Sequence, residues 1–518
     1  MSSDHGSWPS PARSWMIAVS LAIAMAAFVT WPTAITLADG FFPHVDSYFS
    51  TWRLMWIAHA LQTDPDHLFD ANIFHPSTGT LAYSDATLLQ GALTAPFLWA
   101  GASPIVMYNV MLLVGFAGSG VAMFVLARHL TGRMLPALVA SAVFSMAPYR
   151  LEHAMHLEMQ WAMWIPLSLW SLTRTIEERS WRFGALSGVL IWFQVLSCVY
   201  YGVFLALVLL VFVPLLLIRE RTGAIRAFGP VLLAAVIATA LTLPYARPYI
   251  ENARALGDRP ASDIMALSAT WPDYLASSPL SRWWGWTSDR LGDNERHLFP
   301  GLVSLLLAAA AFAGGFRRHV WLYAALALTS VEISLGLNGW LYSALFDYVP
   351  GIRGLRSPAR IAIIAQCAIA ALAALGVSEL SSRFGTRRSW RTGAVGSIAL
   401  LLVVFESASW AWPVQAVRPP DPAAYDVYRA INSQGPGVVL ELPVPRLDAL
   451  PGHEAVYAFQ SAAHWNKLVN GYSGYYPHVY AETLNVMQHF PNDESIARLQ
   501  RLDVRYIVVN RDLLPSDR

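Results

Sequence analysis

Charge is what this sequence has least of: Asp, Glu, Lys and Arg make up 13% of its 518 residues, against 55% hydrophobic residues. A soluble chain solvates its surface with about 25% charged residues. With a mean hydropathy of +0.41, the shortage excludes a large soluble enzyme, because several apolar runs reach the roughly 20 residues that span a bilayer. Net charge is also missing, at +1, which removes the electrostatic case for nucleic-acid binding. Cysteine is scarce. Cys198 and Cys367 both lie inside apolar runs and read as small buried hydrophobes, not as a disulfide or metal framework. Lysine is rarer still, Lys467 being an exception among arginines, a bias that fits a GC-rich bacterial genome. No internal repeat or low-complexity tract is visible.

What is present is a succession of apolar runs. The first, 14–37, follows Arg13 without a small-residue cleavage signature, so it is expected as a retained helix rather than a signal peptide. Further runs lie near 105–127, 134–148, 160–173, 183–197, 199–218, 227–246, 298–314, 319–337, 358–379 and 392–412. Short arginine-bearing loops set the orientation, because such loops stay cytoplasmic. They hold Arg128 and Arg133; Arg174, Arg179 and Arg182; Arg219, Arg221 and Arg226; Arg317 and Arg318; and Arg383, Arg387, Arg388 and Arg391. Parity then requires that 87–102, short and containing Pro96, enter the membrane without crossing it. The expected fold is mainly α: a polytopic transmembrane helical bundle of about eleven spans plus one re-entrant helix.

Segments 38–86, 149–159, 247–297 and 338–357, and everything after about 413, then face outward. The last of these changes character. Pro413 to Pro422 is proline-rich, 437–443 and 504–510 read as buried strands, and 423–433 and 493–501 have helical spacing. The expected division is a membrane domain, 1–412, with a large first outer loop at 38–86, followed by a small extracytoplasmic α/β domain, 413–518.

Candidate chemistry collects on that outer side. The first outer loop offers His44, Asp46, Asp64, Asp66, His67, Asp70, His75 and Asp85. Asp46 stands out at the end of the first helix, flanked by Phe41, Phe42, Tyr48, Phe49 and Trp52. It reads either as a cap for a helix starting near Ser47 or as a base at the lipid–water boundary. Asp64, Asp66 and Asp70 look like turn chemistry. In the second outer segment Arg150, Glu152, His153, His156 and Glu158 fall within nine residues. On a helix His153 and His156 share a face, as do Glu152 and His156. That spacing suits a metal, a phosphate-contacting cluster or a polar helix start, and it specifies no third metal ligand. Arg353, Arg356 and Arg360 oppose the positive-inside trend. They are expected either to bind a lipid phosphate or to pair with Asp347. Glu295 and His297 carry no spacing signal. The mixture of aromatics and amides at 461–477 suits sugar stacking as well as ordinary loops.

The order of these parts carries a resemblance. An early span leads to a large outer loop whose first acid follows the helix end. A re-entrant segment, a span closed by Arg128–Arg133 and a polar second outer loop come next. This resembles the GT-C superfamily of integral-membrane glycosyltransferases, which use polyprenyl-phosphate-linked sugars. The stretch from Val349 to Arg360, and the ending from Glu441 through Asn470–Gly474 to Val504–Val509, look like related bacterial multispan proteins, including the YfhO-like group.

The resemblance implies that Asp46 is the catalytic carboxylate of the first outer loop. Many members carry an Asp-Glu pair there, where this chain has Asp46-Ser47. His44, Asp85, Arg150, Glu152, His153, His156, Glu158, Arg353 and Arg356 are the expected substrate-binding residues. No metal ligand is assigned, although a divalent metal is compatible with the set. Expected partners are membrane lipid, a polyprenyl-phosphate-linked sugar, and an acceptor glycan, lipid or protein, in a bacterial cytoplasmic (inner) membrane. The rival expectations are a flippase for lipid-linked glycans, which would bury ionisable groups near the midplane of broken helices, and a non-catalytic envelope-assembly protein.

Overall fold

Apolar runs with too few polar side chains to meet water satisfy their backbones internally, as helices, and the chain is mainly helical. The computed structural model describes residues 11–220, 223–293, 295–314, 318–349, 351–384, 389–421 and 425–513. Arg221, Arg317, Arg387, Arg388 and Pro422 lie outside the described residues. In chain order come α1 (Pro11–Val29), strand β1 (Gly40–Phe41), α2 (Val45–Thr63), α3 (Leu88–Trp99), α4 (Pro104–Thr131) and α5 (Met134–Ser145). Two short helices, α6 (Pro148–Glu152) and α7 (Leu157–Gln160), precede α8 (Trp164–Glu178), α9 (Trp181–Ser197), α10 (Val199–Glu220) and α11 (Ala224–Leu256). Then follow α12 (Ala261–Ala266), α13 (Ser288–Leu291), α14 (Leu302–Ala310), α15 (Arg318–Ser334), α16 (Trp340–Tyr348), α17 (Ala362–Phe384) and α18 (Ser389–Glu406).

Six stretches among the described residues are long and apolar enough to cross a membrane: Ala12–Val29, Pro104–Thr131, Met134–Glu152, Val199–Glu220, Ala224–Leu256 and Pro358–Arg383. Helix length alone therefore supports six crossings rather than about eleven. The expected runs at 160–173, 183–197 and 319–337 form helices of 15, 17 and 17 residues. The stretch expected as re-entrant becomes α3, about 18 Å long at 1.5 Å per residue, too short for a hydrocarbon layer of about 30 Å. α11 runs through Pro244 and Pro248 to Leu256, where an outer loop was expected. Its polar end is held by the Arg247–Glu251 pair at 2.8 Å and by Asn252 donating to the Gly79 carbonyl.

The central helix is α17, whose alanines are almost fully buried. A Cβ at Gly376 would collide with the Leu307 carbonyl, so α14 and α17 approach at backbone distance, the small-residue packing that membrane bundles favour. Large apolar side chains such as Leu210, Ile225, Leu328 and Leu401 instead face outward, as a lipid-facing surface requires. At one end of the bundle Glu177 meets Arg219 (2.6 Å) and His129 (3.0 Å), drawing together three of the polar loops. β1 lies at the opposite end and pairs antiparallel with β2 (Gln415–Ala416).

A second apolar core forms at that end. α2 presents Phe49, Trp52, Met55, Trp56 and Ala60 to Tyr428, Ala455, Phe459 and Leu468 from the last hundred residues. There α19 (Asp426–Gln434), β3 (Val438–Leu442), α20 (Glu454–Gln460), α21 (His478–Met487), α22 (Asp493–Arg501) and β4 (Val504–Val509) follow one another. β3 and β4 pair in parallel, and every residue of β3 is buried.

Candidate functional site

Asp46 owes its position to a helix start. His44, with extended backbone, is the N-cap of α2 and accepts from the Asp46 N–H through Nδ1 at 3.2 Å. The helix begins at Val45, so Asp46 occupies the first turn, where the helix dipole favours a carboxylate. The cap is His44, not Asp46. Ser47, which stands where the resembling family has a second acid, is fully buried, with Tyr108 donating to its hydroxyl at 3.4 Å. A carboxylate there would be enclosed by protein.

Three groups converge on the Asp46 carboxylate. Tyr472, 426 residues further along the chain, donates its hydroxyl to Oδ1 at 2.7 Å. His156 Nε2 lies 3.2 Å from Oδ2, and His44 Nδ1 lies 3.2 Å from the same oxygen. The His44 nitrogen serves one partner at a time: unprotonated it caps α2, protonated it donates to Oδ2. Burial alone would raise the pKa of Asp46, but the charge and hydrogen bonding of His156, then of His44, hold it well below the usual carboxylate range. Burial likewise opposes protonation of His156, yet Asp46 raises it. His153 is held well below the usual histidine range by burial, then by His156 and Arg360. Its Nδ1 lies 3.3 Å from His156 Nδ1. A doubly protonated His156 satisfies both contacts, donating from Nε2 to Asp46 and from Nδ1 to a neutral His153. His153 Nε2 is buried with no hydrogen-bond partner among the described residues.

Behind this trio stands a frame of paired charges. Glu158 pairs with Arg53 of α2 at 2.8 Å, both nearly fully buried. Arg53 also donates to Ser50 at 2.7 Å and to the Asp85 carbonyl. The Asp85 carboxylate accepts from the Val199 N–H at the start of α10. Burial, then repulsion from Glu158, pushes the Asp85 carboxyl upward. Glu152 accepts from the Glu295 backbone N–H at 3.0 Å and lies 2.7 Å from His297 Nδ1. Glu295 pairs with Arg360 at 3.0 Å. It is one of six non-glycine residues with positive φ among the described residues, at 68°, a conformation held against its local preference. Burial would raise Glu295, but Arg360, followed by His156, His153 and Arg356, brings it down to about 2.

The expected residues thus separate. Asp46, His44, His153 and His156 meet directly, and Glu152 joins through Glu295, whose titration His156 and His153 influence. Asp85 and Glu158 are committed to holding α10 and α2. Arg150 is buried and donates to the side chain and carbonyl of Gln160 (3.1 and 2.6 Å) and to the Gly115 carbonyl (3.3 Å), with its guanidinium over Phe116. It ties the second outer segment to α4. Arg353 is 44% exposed and pairs with Asp258 at 3.7 Å rather than with Asp347. Arg356 is half-buried and has no side-chain hydrogen bond or ion pair with any described residue, while its charge acts on Glu295, Tyr472 and Tyr476. Among the described residues no group of three or more His, Cys, Asp or Glu could hold a metal ion.

Arg53, Glu295, Arg360 and Tyr472 join the cluster without having been singled out for it by spacing. Glu295 and Arg360 were visible as polar groups on the outer side, and Tyr472 lay within the aromatic stretch at 461–477. None had a local pattern linking it to Asp46.

No known family's sequence model matches the chain, and no curated protein sequence does either. Solved structures do match in fold. The oligosaccharyltransferase AglB from Archaeoglobus fulgidus, solved with an inhibitory peptide and a dolichol-phosphate, is 11% identical with a TM-score of 0.55. That match covers 96% of this chain and 69% of the oligosaccharyltransferase. The arabinofuranosyltransferase AftD from Mycobacteria is 14% identical with a TM-score of 0.64, covering 98% of this chain but only 36% of the mycobacterial protein. The chain therefore shares the fold of these two solved transferases and spans about two thirds of the first and about a third of the second.

Proposed function

We propose that this chain is a membrane glycosyltransferase that moves a sugar from a polyprenyl-phosphate donor to an extracytoplasmic acceptor, a glycan, lipid or protein, with Asp46 as base. The observation that carries the reading is a buried carboxylate kept ionised by His156, in a GT-C fold, within the electrostatic neighbourhood of Arg356. Asp46 takes the proton of an acceptor hydroxyl as that oxygen attacks the anomeric carbon. The bond from that carbon to the phosphate oxygen breaks, and its electron pair leaves with the polyprenyl phosphate. General-base help of this kind is worth about 10²–10⁴-fold. Arg356, which lacks a described ion-pair partner, offsets the charge on the departing phosphate, with the more exposed Arg353 at the rim. His156 holds Asp46 ionised, and when Asp46 takes the proton the pair passes from neutral to a net charge of +1, carried by His156.

The same orientation sets the placement in the envelope. On this reading the chain is a multi-pass protein of a bacterial cytoplasmic (inner) membrane, the six long apolar stretches and some of the shorter apolar helices supplying the crossings and α3 entering without crossing. Residues 1–412 form the membrane domain, and 413–518 form an extracytoplasmic α/β unit resting on α2. A relation to YfhO-like proteins is part of the same proposal.

The test is release of polyprenyl phosphate by the purified protein from a panel of polyprenyl-phosphate sugars. The wild type consumes at least one donor, and Asp46→Asn, folded and inserted, consumes none. Undiminished turnover by Asp46→Asn ends the assignment. Donor translocation without cleavage would establish the flippase reading instead.

A further inference from the structure

Both oxygens of Asp46 are already engaged. Oδ2 faces two imidazoles, one from the buried His156 and one from His44 on the same helix start. Oδ1 has one partner, the Tyr472 phenol, at 2.7 Å, the separation of a hydroxyl donating to a carboxylate. A sugar hydroxyl attacking as nucleophile must make that same bond before giving up its proton.

The segment bearing Tyr472 has no backbone anchor, although its rings pack on Phe49 and Phe74. Residues 471–476 make no backbone–backbone hydrogen bond with any described residue. The segment is held by side chains instead. Glu454 accepts from the Gly471 N–H at 3.0 Å, Arg259 donates to the Gly474 carbonyl and stacks on Tyr475, and Tyr472 reaches Asp46. Few backbone hydrogen bonds mark a segment that opens at low cost. Gly471 and Gly474 let the loop lie flat, because a Cβ would come within 2.6 Å of the Phe74 ring or 2.9 Å of the Tyr83 carbonyl. The histidine partners cannot withdraw as easily: His156 sits between two buried short helices, and His44 caps α2.

We propose that Tyr472 is a place-holder for the acceptor: its hydroxyl occupies the acceptor-hydroxyl position at Asp46 Oδ1, and the incoming acceptor displaces it together with the 471–476 loop. The inference rests on the reading of Asp46 as base. It makes Tyr472 a gate that admits only hydroxyl donors able to replace a charge-assisted hydrogen bond, and it opposes the alternative in which Tyr472 positions Asp46 for catalysis.

Two variants test it in the full-length protein. Tyr472→Phe deletes only the competing hydroxyl. It should lower the acceptor KM, raising kcat/KM by roughly tenfold, the size of one hydrogen bond to a charged group. A fall in kcat/KM through kcat would mean positioning and would overturn the proposal. In Ser84→Cys with Gly474→Cys, a Cβ at 474 stands 3.8 Å from that of residue 84, inside disulfide range, and 2.9 Å from the Tyr83 carbonyl, so the backbone must shift slightly to admit it and the reduced protein is compared with wild type as well as with the oxidised form. The native Cys198 and Cys367 are buried and free. Oxidised, this protein should lose at least tenfold of its turnover and regain it on reduction, the reduced arm reporting that it folds. Equal turnover in both states overturns the place-holder. The two readings fail separately. Normal turnover by Asp46→Asn defeats the base, whereas a harmless cross-link in a protein that Asp46→Asn silences defeats only the place-holder.

Discussion

Asp46 and Glu454 are buried carboxylates at the same end of the molecule, and they hold opposite charge states. Asp46 has two imidazoles and a phenol around it and is held ionised. Glu454 is fully buried with only neutral donors, the Asn470 amide (3.2 Å) and the Gly471 N–H (3.0 Å), and burial pushes it up to about 8. Its neighbour Glu441, bonded to Tyr428 (3.1 Å) and Asn510 (2.7 Å), is pushed up by burial to about 7. Burial therefore does not decide the charge of an acid in this protein. A cationic partner does, and only the Asp46 side has one. The two sites are joined through three residues: Glu454 holds Asn470 and Gly471, and Tyr472 reaches Asp46.

The largest expected effect breaks the charged half of the comparison. Asp46→Asn removes the ionised base and should cost about 10²–10⁴ in donor turnover. Because it also deprives His156 of its carboxylate, a lower melting temperature is expected, so turnover is read at a temperature where the variant is still folded, with thermal melting alongside. Next in size is Arg53→Met, which leaves Glu158 buried without its cation. Breaking such a pair costs about 3–5 kcal/mol, so a large loss of folded yield and of melting temperature is expected. A variant that melts normally would show that Glu158 is not held by Arg53.

The neutral half has its own signature. Glu441 and Glu454 bind protons more tightly folded than unfolded, so their stabilising contribution is full below about pH 4.5 and is lost as pH rises through about 7 to 8. A tenfold difference in proton affinity between folded and unfolded chain is worth about 1.4 kcal/mol. Melting temperature should fall between about pH 5 and about pH 9, and Glu441→Gln with Glu454→Gln should flatten that slope. A steep slope surviving the double substitution would place the titration elsewhere.

Asp46 has the opposite sign. Its depressed value contributes stability above about pH 3.9, lost as pH falls through the folded value. The smallest effect, His156→Gln, should therefore move the acidic limb of the kcat/KM profile upward by about one pH unit, the displacement that losing a charge neighbour of about 1.4 kcal/mol produces. An unmoved limb would mean that His44, not His156, keeps Asp46 ionised.

Much of the fold could be read along the chain because membrane helices are local. Runs such as 105–127 and 199–218 became α4 and α10, and the arginine loops around 128, 174 and 219 do gather at one end. Helix lengths were harder to read. α11 continues past two prolines to a polar end whose Asn252 donates to the Gly79 carbonyl, a partner that no hydropathy window sees. Within the site, Asp46 could be recognised by its place after the first span, and His153 and His156 by their spacing. Arg150 and Glu158 looked equally available to a substrate. Only packing showed Arg150 spent on Gln160 and Glu158 on Arg53.

What the sequence by itself determined is the class of solvent and the segregation of charge: apolar runs that must be helical, and polar groups confined to the loops between them, both consequences of local composition. Tertiary structure alone decided which acid is ionised. Asp46 and Glu454 are each one carboxylate in an apolar setting, and their difference arises chiefly from a partner 110 residues from Asp46, His156, which folding brings within 3.2 Å. Electrostatic fate is set by distances through space, and those do not exist until the chain has packed.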